Sequence, residues 1–303
     1  MAIASDSVRR ARPLLGTFVE IEVVAAARPD MNAAIDAAFD SVGEVHRLMS
    51  FHEPDSDISR LNREAAIRPT RVHPWTYQVL DAAVEMHRRS RGVFDIAVAP
   101  ALQAMGLLPV LGGETANLPK AHLADAIELL PEHTVRFRAA EVTIDLGGIA
   151  KGFAVDRAVD ALRGYGIVSG LVNAGGDLRA IGTEPHTIHI RDPRNPGRSI
   201  CSIEVADAAL ASTARRFDLM DGTEPGSLPV IDPSSCRPPD LIDGATVRAP
   251  SCMIADALTK IVMISGTDAG KLLEHCHASA LLITAGGEVQ ITSDWHGAVH
   301  LAA

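Results

Sequence analysis

Asp145-Leu-Gly-Gly-Ile-Ala-Lys-Gly-Phe-Ala-Val-Asp156 reads as a chain reversal between two kinds of secondary structure. Residues 141–145 predict a short strand that runs into two glycines. A helix then starts near Lys151 and continues to Tyr165, with Gly164 and Gly166 as its stop signal. Residues 167–173 read as the next strand, halted by Ala174-Gly-Gly176. The two glycine turns flank one helix, which lets both open onto the same sheet edge, where ligands favour α/β architectures. Free N–H groups at a helix start, beside a lysine, suit a phosphate or pyrophosphate. The spacing matches neither GxxxxGK[ST] nor GxGxxG, and a tight turn that needs glycine for its backbone accounts for the same residues. Asn173-Ala-Gly-Gly-Asp177, taken alone, is a turn before it is a site.

Outward from this unit, residues 14–25 alternate around Phe18, Glu20 and Glu22 as a half-buried strand. Ala34, Ala38, Val42, Val45 and Leu48 recur at helical spacing over 31–49. A polar turn is expected over 51–62, a second helix over 74–90, and an apolar continuation over 96–107. The later part reads as mostly β: 187–191, 199–205, 209–212, then 280–283 paired with 289–291 through Gly286-Gly287-Glu288. One helix, 253–265, interrupts it. Helices and strands that mix without strict alternation predict an α+β fold, a mixed sheet with helices, over residues 1–303 as a single compact unit.

The chain has 303 residues, 47% hydrophobic and 22% charged, with a formal net charge of -10. That is enough apolar material for a core without disulfide or metal staples. The negative balance argues against nucleic acid as a partner, which would demand a basic stripe. Cys201, Cys236, Cys252 and Cys276 form no CxxC pair and fit a reducing compartment. No apolar run follows Arg9, Arg10 and Arg12, and no segment reaches the ~20 apolar residues of a membrane span. A cytoplasmic protein without a membrane span is expected.

Ser251-Cys-Met-Ile-Ala-Asp-Ala-Leu-Thr-Lys260 sets an aspartate inside an apolar helix. Asp256 needs a cation or a donor there. Lys260 at i+4 offers an ion pair, and a hard cation such as Mg²⁺ is the other candidate. His275-Cys276-His277 would put two imidazoles on one face of a strand. Asp218 to Asp221 and Asp240 to Asp243 read as solvated loop charges, and Ser212-Thr213 lacks the partners of a hydrolase nucleophile.

Seven stretches, in order along the chain, resemble the ApbE flavin transferases (FAD:protein FMN transferases). They are Leu15-Gly-Thr17, Met49-Ser-Phe-His-Glu-Pro-Asp-Ser-Asp-Ile-Ser-Arg-Leu-Asn62, Gly92-Val-Phe-Asp-Ile-Ala-Val-Ala-Pro100, the Asp145–Asp156 and Asn173–Asp177 stretches, Val230-Ile-Asp-Pro233, and Ala249-Pro-Ser-Cys-Met-Ile-Ala-Asp-Ala-Leu258. The resemblance implies attack on FAD by a threonine or serine hydroxyl of a target flavoprotein. FMN is attached through a phosphoester and AMP leaves. It further implies that Asp256 and the Ala150 carbonyl hold Mg²⁺. Leu15, Phe51, Asp95, Phe153 and the segment around Val230 would line the FAD site, with Lys151 near the phosphates and Asp177 on the pocket wall. A catalytic role falls to Asp256 and Lys260.

Two positions depart from the family pattern. Many members carry threonine four residues after the metal aspartate. Here Lys260 stands there and Thr259 precedes it. An ammonium has only donors and cannot ligate a metal, so it either replaces the cation or leaves Thr259 to serve it. Members also commonly carry histidine before Ile-Asp-Pro, where this chain reads Ser227-Leu-Pro-Val-Ile-Asp-Pro233. With Pro229 in that run, a candidate general base is missing. A flavin-binding protein without transfer activity is therefore the alternative to the enzyme.

Overall fold

Val19, Ile21 and Val23 are wholly buried while Phe18 is 67% exposed, so the first clear strand has one dry face, as its alternation demands. The computed structural model describes residues 6–25, 30–110, 123–215 and 228–301. Residues 14–25 hold a turn and a strand: β1 (Asp6–Leu14) pairs antiparallel with β2 (Thr17–Ala25) across Leu15-Gly16. Helix α1 (Met31–Met49) falls where its apolar spacing puts it and is capped by Asp30. The segment expected to be a polar turn instead contains α2 (Asp57–Glu64), nucleated by Ser56, whose side chain accepts from the Ser59 amide. Its mostly polar sequence hid it, because only Ile58 and Leu61 face the core as apolar residues.

After β3 (Thr70–Arg71) and α3 (Pro74–Arg89), the apolar continuation forms a 3-10 turn (Ile96–Val98) and α4 (Ala99–Ala104). The hairpin β4 (Ile127–Leu130) and β5 (Thr134–Phe137) was not apparent in the sequence. Residues 141–145 form no strand, contrary to expectation. Ile144 is held instead by a side chain: the Asn62 amide donates to its carbonyl at 3.0 Å and accepts from its N–H at 2.8 Å. The Asp145 amide reaches the Ile96 carbonyl at 2.8 Å.

Helix α5 (Ala150–Gly164) leads to β6 (Ser169–Ala174) and β7 (Asp177–Ile181), followed by β8 (His186–Asp192), β9 (Asn195–Val205), β10 (Ala209–Ala214) and β11 (Ile242–Ala249). Helices α6 (Cys252–Ser265) and α7 (Gly270–His275) precede β12 (Ser279–Thr284), β13 (Val289–Ile291) and β14 (Val299–Leu301). The principal sheet has the order β1-β2-β6-β7-β10-β11-β12-β13, with two three-stranded sheets, β14-β9-β8 and β3-β5-β4. The named strand pairings are antiparallel. The result is an α+β fold with helices mixed among the strands, as expected.

Both faces of the principal sheet are covered. Leu282 and Ala280 of β12 join the main core with α1, α5 and α6, while Leu281 and Ile283 join a second cluster around Trp295 and the β8–β9 sheet. A continuous apolar strand such as Ser-Ala-Leu-Leu-Ile-Thr is what burial on both faces requires. The expected His275-Cys276-His277 strand is the end of α7 and its exit turn, with His277 at φ 52°, so the alternation that would have aligned two imidazoles is absent. Among the described residues, no helix is long and apolar enough to cross a membrane.

Candidate functional site

The two glycine turns converge. Gly147 and Gly148 before α5, and Gly175 and Gly176 between β6 and β7, line one cleft of about 960 Å³. Its walls also include Phe94, Asp95, β8 from Ile188 to Asp192, the segment Pro229–Ile231, Thr213 and Lys260. The second turn requires glycine: Gly175 has φ 64°, and a Cβ there would lie 2.5 Å from Thr17 Oγ1. Asn173 Oδ1 accepts from the Gly176 amide at 3.0 Å and fixes the turn. Thr17 of the Leu15-Gly-Thr17 stretch is thus the side chain against which this turn packs.

The start of α5 is less open than a free helix end. Gly147 N–H donates to Asp145 Oδ2 at 3.0 Å, Ile149 and Ala150 donate to the Leu146 carbonyl, and Gly152 donates to Asp256 Oδ2 at 3.1 Å. With those amides committed, anion binding at this turn rests chiefly on Lys151. Gly152 has a second reason to be glycine, since a Cβ would lie 2.2 Å from the Cys252 carbonyl and 2.8 Å from Asp256 Cβ. Only a bare backbone lets α5 and α6 approach this closely. Asp156 completes the seam by accepting from the Cys252 and Met253 amides at 3.0 and 2.9 Å, and from Arg179 at 2.6 Å.

Four charges gather at that seam. Asp256 is fully buried and pairs through Oδ1 with Lys260 Nζ. Lys260 Nζ also donates to Thr213 and Thr259 Oγ1, each at 3.2 Å. Lys151 Nζ reaches Asp177 Oδ2 at 2.5 Å, and Asp177 Oδ1 is buried without a hydrogen-bond partner among the described residues. Burial, and then the charge of Asp256, push Asp177 above the usual carboxylate range, against the pull of Lys151 and Lys260. Burial works on Asp256 in the same sense, but Lys260, Lys151 and the Gly152 amide outweigh it and hold Asp256 low. Burial disfavours the Lys151 ammonium, yet Asp177 and Asp256 together raise it above its ordinary value. The two carboxylates share two ammonium groups, and their charges cancel.

Other expected residues take varied places. Asp95 is on the cleft wall, caps the turn after it by accepting from Ala97 N–H at 2.7 Å, and lies 3.6 Å from the buried His87 ring. Val230 also faces the cleft, and Pro229 brings no titratable group to it. Phe51 and Phe153 belong to the main core, where Phe153 meets Trp75 edge-on at 6.2 Å. Leu15 is half-buried in the β1–β2 turn at φ 55°, and Ala150 opens α5. Asp145, on the cleft wall, has its pKa raised by burial.

Thr213 and β8 were missed as site elements, because they reach the cleft only through strand pairing. Asp243 is not a solvated loop charge: it is buried in β11, with Arg194 at 2.8 Å and Arg215 at 3.4 Å. Asp218 to Asp221 lie outside the described residues.

A divalent ion would need oxygen ligands around Asp256. The ammonium of Lys260 already holds Asp256 Oδ1, and the Gly152 amide holds Oδ2. Among the described residues, no group of three or more His, Cys, Asp or Glu is placed to hold a metal. As arranged, these side chains fit an ammonium and not Mg²⁺.

A family model described as "ApbE family" matches residues 15–283. The FAD:protein FMN transferase of Vibrio cholerae serotype O1 is 28% identical, covering 92% of this chain and 87% of its own. That of Treponema pallidum is 27% identical, covering 85% and 78%. The crystal structure of the ApbE protein from Thermotoga maritima superposes with a TM-score of 0.82 at 25% identity, covering 96% of this chain and 98% of that one. The flavin transferase ApbE from Vibrio cholerae gives the same TM-score and identity, covering 97% and 100%.

Proposed function

This chain belongs to the ApbE family, and we propose that it is an FAD:protein FMN transferase. FAD binds in the cleft, and a threonine or serine hydroxyl of a target flavoprotein attacks the phosphorus on the riboflavin side of the pyrophosphate. The new P–O bond joins FMN to the acceptor, the old P–O bond breaks toward AMP, and the hydroxyl proton passes to solvent or to a basic group at the cleft. One observation carries this reading: two glycine turns and Lys151 line a cleft of about 960 Å³, within the range of ligand sites. Residues 1–303 act as one unit in it, since the cleft draws walls from β2, from α5 and α6, and from the β8 sheet.

The residues supply binding and charge. Lys151, held on Asp177, donates to a phosphate oxygen and opposes the charge that builds there as AMP departs. The bare backbone of Gly147–Gly148 and Gly175–Gly176 allows the phosphates to approach closely. Asp95 and Val230 line the flavin or adenine ends, and Phe51 and Phe153 support the wall from the core behind. Asp145, whose pKa is raised by burial and whose carboxylate is therefore more basic, is a cleft group suited to receive a proton.

Incubation with FAD and a candidate acceptor tests this by intact mass: the acceptor should gain one FMN less water while AMP appears in equal amount. Pro229 favours a second reading, since a cleft wall without that titratable group retains FAD binding more readily than proton transfer. FAD that is bound and never cleaved, with every acceptor unmodified, would establish the second reading over the first.

A further inference from the structure

We propose that Lys260 is the resident cation of this site, taking the place of a divalent metal beside Asp256, so that flavin is held without one. The proposal rests on the reading of the cleft as a flavin site. Lys260 Nζ has three protons, and three oxygens surround it: Asp256 Oδ1, Thr213 Oγ1 and Thr259 Oγ1. That is the full complement of an ammonium.

The hydroxyl protons have acceptors as well. Thr259 donates to the Asp256 carbonyl at 2.7 Å, which frees Thr213 to donate to Thr259 Oγ1 at 2.8 Å. Both threonine oxygens are then left as acceptors toward Lys260. The network closes on itself with Asp256 Oδ2 on the Gly152 amide, and no oxygen lacks a role.

Charge makes the same case. With Lys260 in place, Asp177 and Asp256 are matched by Lys151 and Lys260. A divalent ion here would bring two further positive charges into a buried group whose charges already balance. It would also have to displace the Lys260 stem, which runs past Gly148 and lies 3.7 Å from where a Cβ of that residue would sit. Lys260 is only 13% exposed but lines the cleft. Its donors are spent and its charge is matched by Asp256, so the hydrogen bond to a bound pyrophosphate falls to Lys151.

Mn²⁺ replaces Mg²⁺ as a probe, because the spectrum of the free ion reports binding directly. Wild-type protein and Lys260→Thr are titrated with Mn²⁺, with and without FAD, and FAD affinity is measured in EDTA and in Mg²⁺. The wild type is expected to bind no stoichiometric Mn²⁺, and its FAD affinity to change less than about threefold between EDTA and Mg²⁺, a small difference in binding free energy. Lys260→Thr is expected to gain one Mn²⁺ site per chain and a melting temperature that Mn²⁺ raises. A wild type that binds one Mn²⁺, lost in Asp256→Ala, overturns the proposal, and so does a Lys260→Thr protein that folds and gains no site. Absence of FAD binding under both conditions overturns the flavin reading itself, while the Mn²⁺ titration still decides the lysine.

Discussion

Asp256 and Lys260 lie four residues apart on α6, whereas Asp177 and Lys151 come together from a strand and a helix 26 residues apart. The first pair is closed: both carboxylate oxygens are engaged, the ammonium has three acceptors, and Lys260 is 13% exposed. The second is open: Asp177 Oδ1 has no partner among the described residues, and Lys151 is 33% exposed and lines the cleft. Two pairs of the same chemistry thus divide the labour. A closed pair holds a fixed charge and joins α6 to α5. An open pair has a cation free to turn toward a ligand, at the cost of an incompletely satisfied carboxylate.

The largest expected effect breaks the closed pair from the carboxylate side. Asp256→Ala leaves a buried ammonium uncompensated and a helix amide unpaired, a loss of about 3–5 kcal/mol. Urea denaturation measures it. The double variant Asp256→Ala with Lys260→Met should recover much of the loss, and a single-variant loss below about 1 kcal/mol would contradict the closed pair.

Gly152→Ala attacks the same pair through its geometry. The new Cβ meets the Cys252 carbonyl at 2.2 Å, and neither helix backbone can yield without parting the seam, so about 3 kcal/mol is expected. Gly164→Ala, where none of the described residues lies within 4 Å of an added Cβ, is the control and should be near neutral or mildly stabilising.

The open pair should respond in binding more than in stability. Lys151→Met is expected to weaken FAD binding by about tenfold to a hundredfold, the worth of one charge-assisted hydrogen bond. Its unfolding free energy should fall by less than that of Asp256→Ala, because burial already pushes Asp177 toward the neutral form. Calorimetric titration and denaturation together read the split. Equal losses in both would erase the contrast between the pairs.

The smallest effect is in pH. Because the pKa of Asp177 is raised in the folded state, folding takes up a proton over the interval above the ordinary carboxylate value of about 3.9. The folded chain there binds more protons than the unfolded one, so this group's contribution falls as pH rises through its folded pKa. Asp177→Asn cannot ionise and should flatten that part of the profile. Melting temperatures of both proteins across that interval test it, and parallel profiles would mean that Asp177 is ionised like any surface aspartate.

Most of the helices were legible because their apolar residues repeat every three or four positions, so Met31–Met49 stands out by itself. Helix α2 was not, because a capping serine and about two turns of mostly polar sequence carry no such signal. Strand β1 escaped for a related reason: its arginines face solvent and pair with Glu20 and Asp36, which no local pattern reveals. Residues 141–145 look like a strand, yet the backbone of Ile144 is satisfied by Asn62, 82 positions away.

By itself the sequence determined what is local: the helix with Asp256 and Lys260 on one face, the two glycine turns around α5, and the order of motifs that marks the family. Tertiary structure alone decided the rest. It set Thr213 on Lys260 across 47 residues, Lys151 on Asp177 across 26, and β8 along the cleft. The physical reason is one of range. An i,i+4 contact follows from the pitch of a helix, whereas a contact between distant strands depends on pairing register and packing that no short window of sequence contains. Whether Asp256 faces a metal or an ammonium is of the second kind, because the side chain of Lys260 could have turned outward on the same helix until Thr213 and Thr259 gave it two further oxygens.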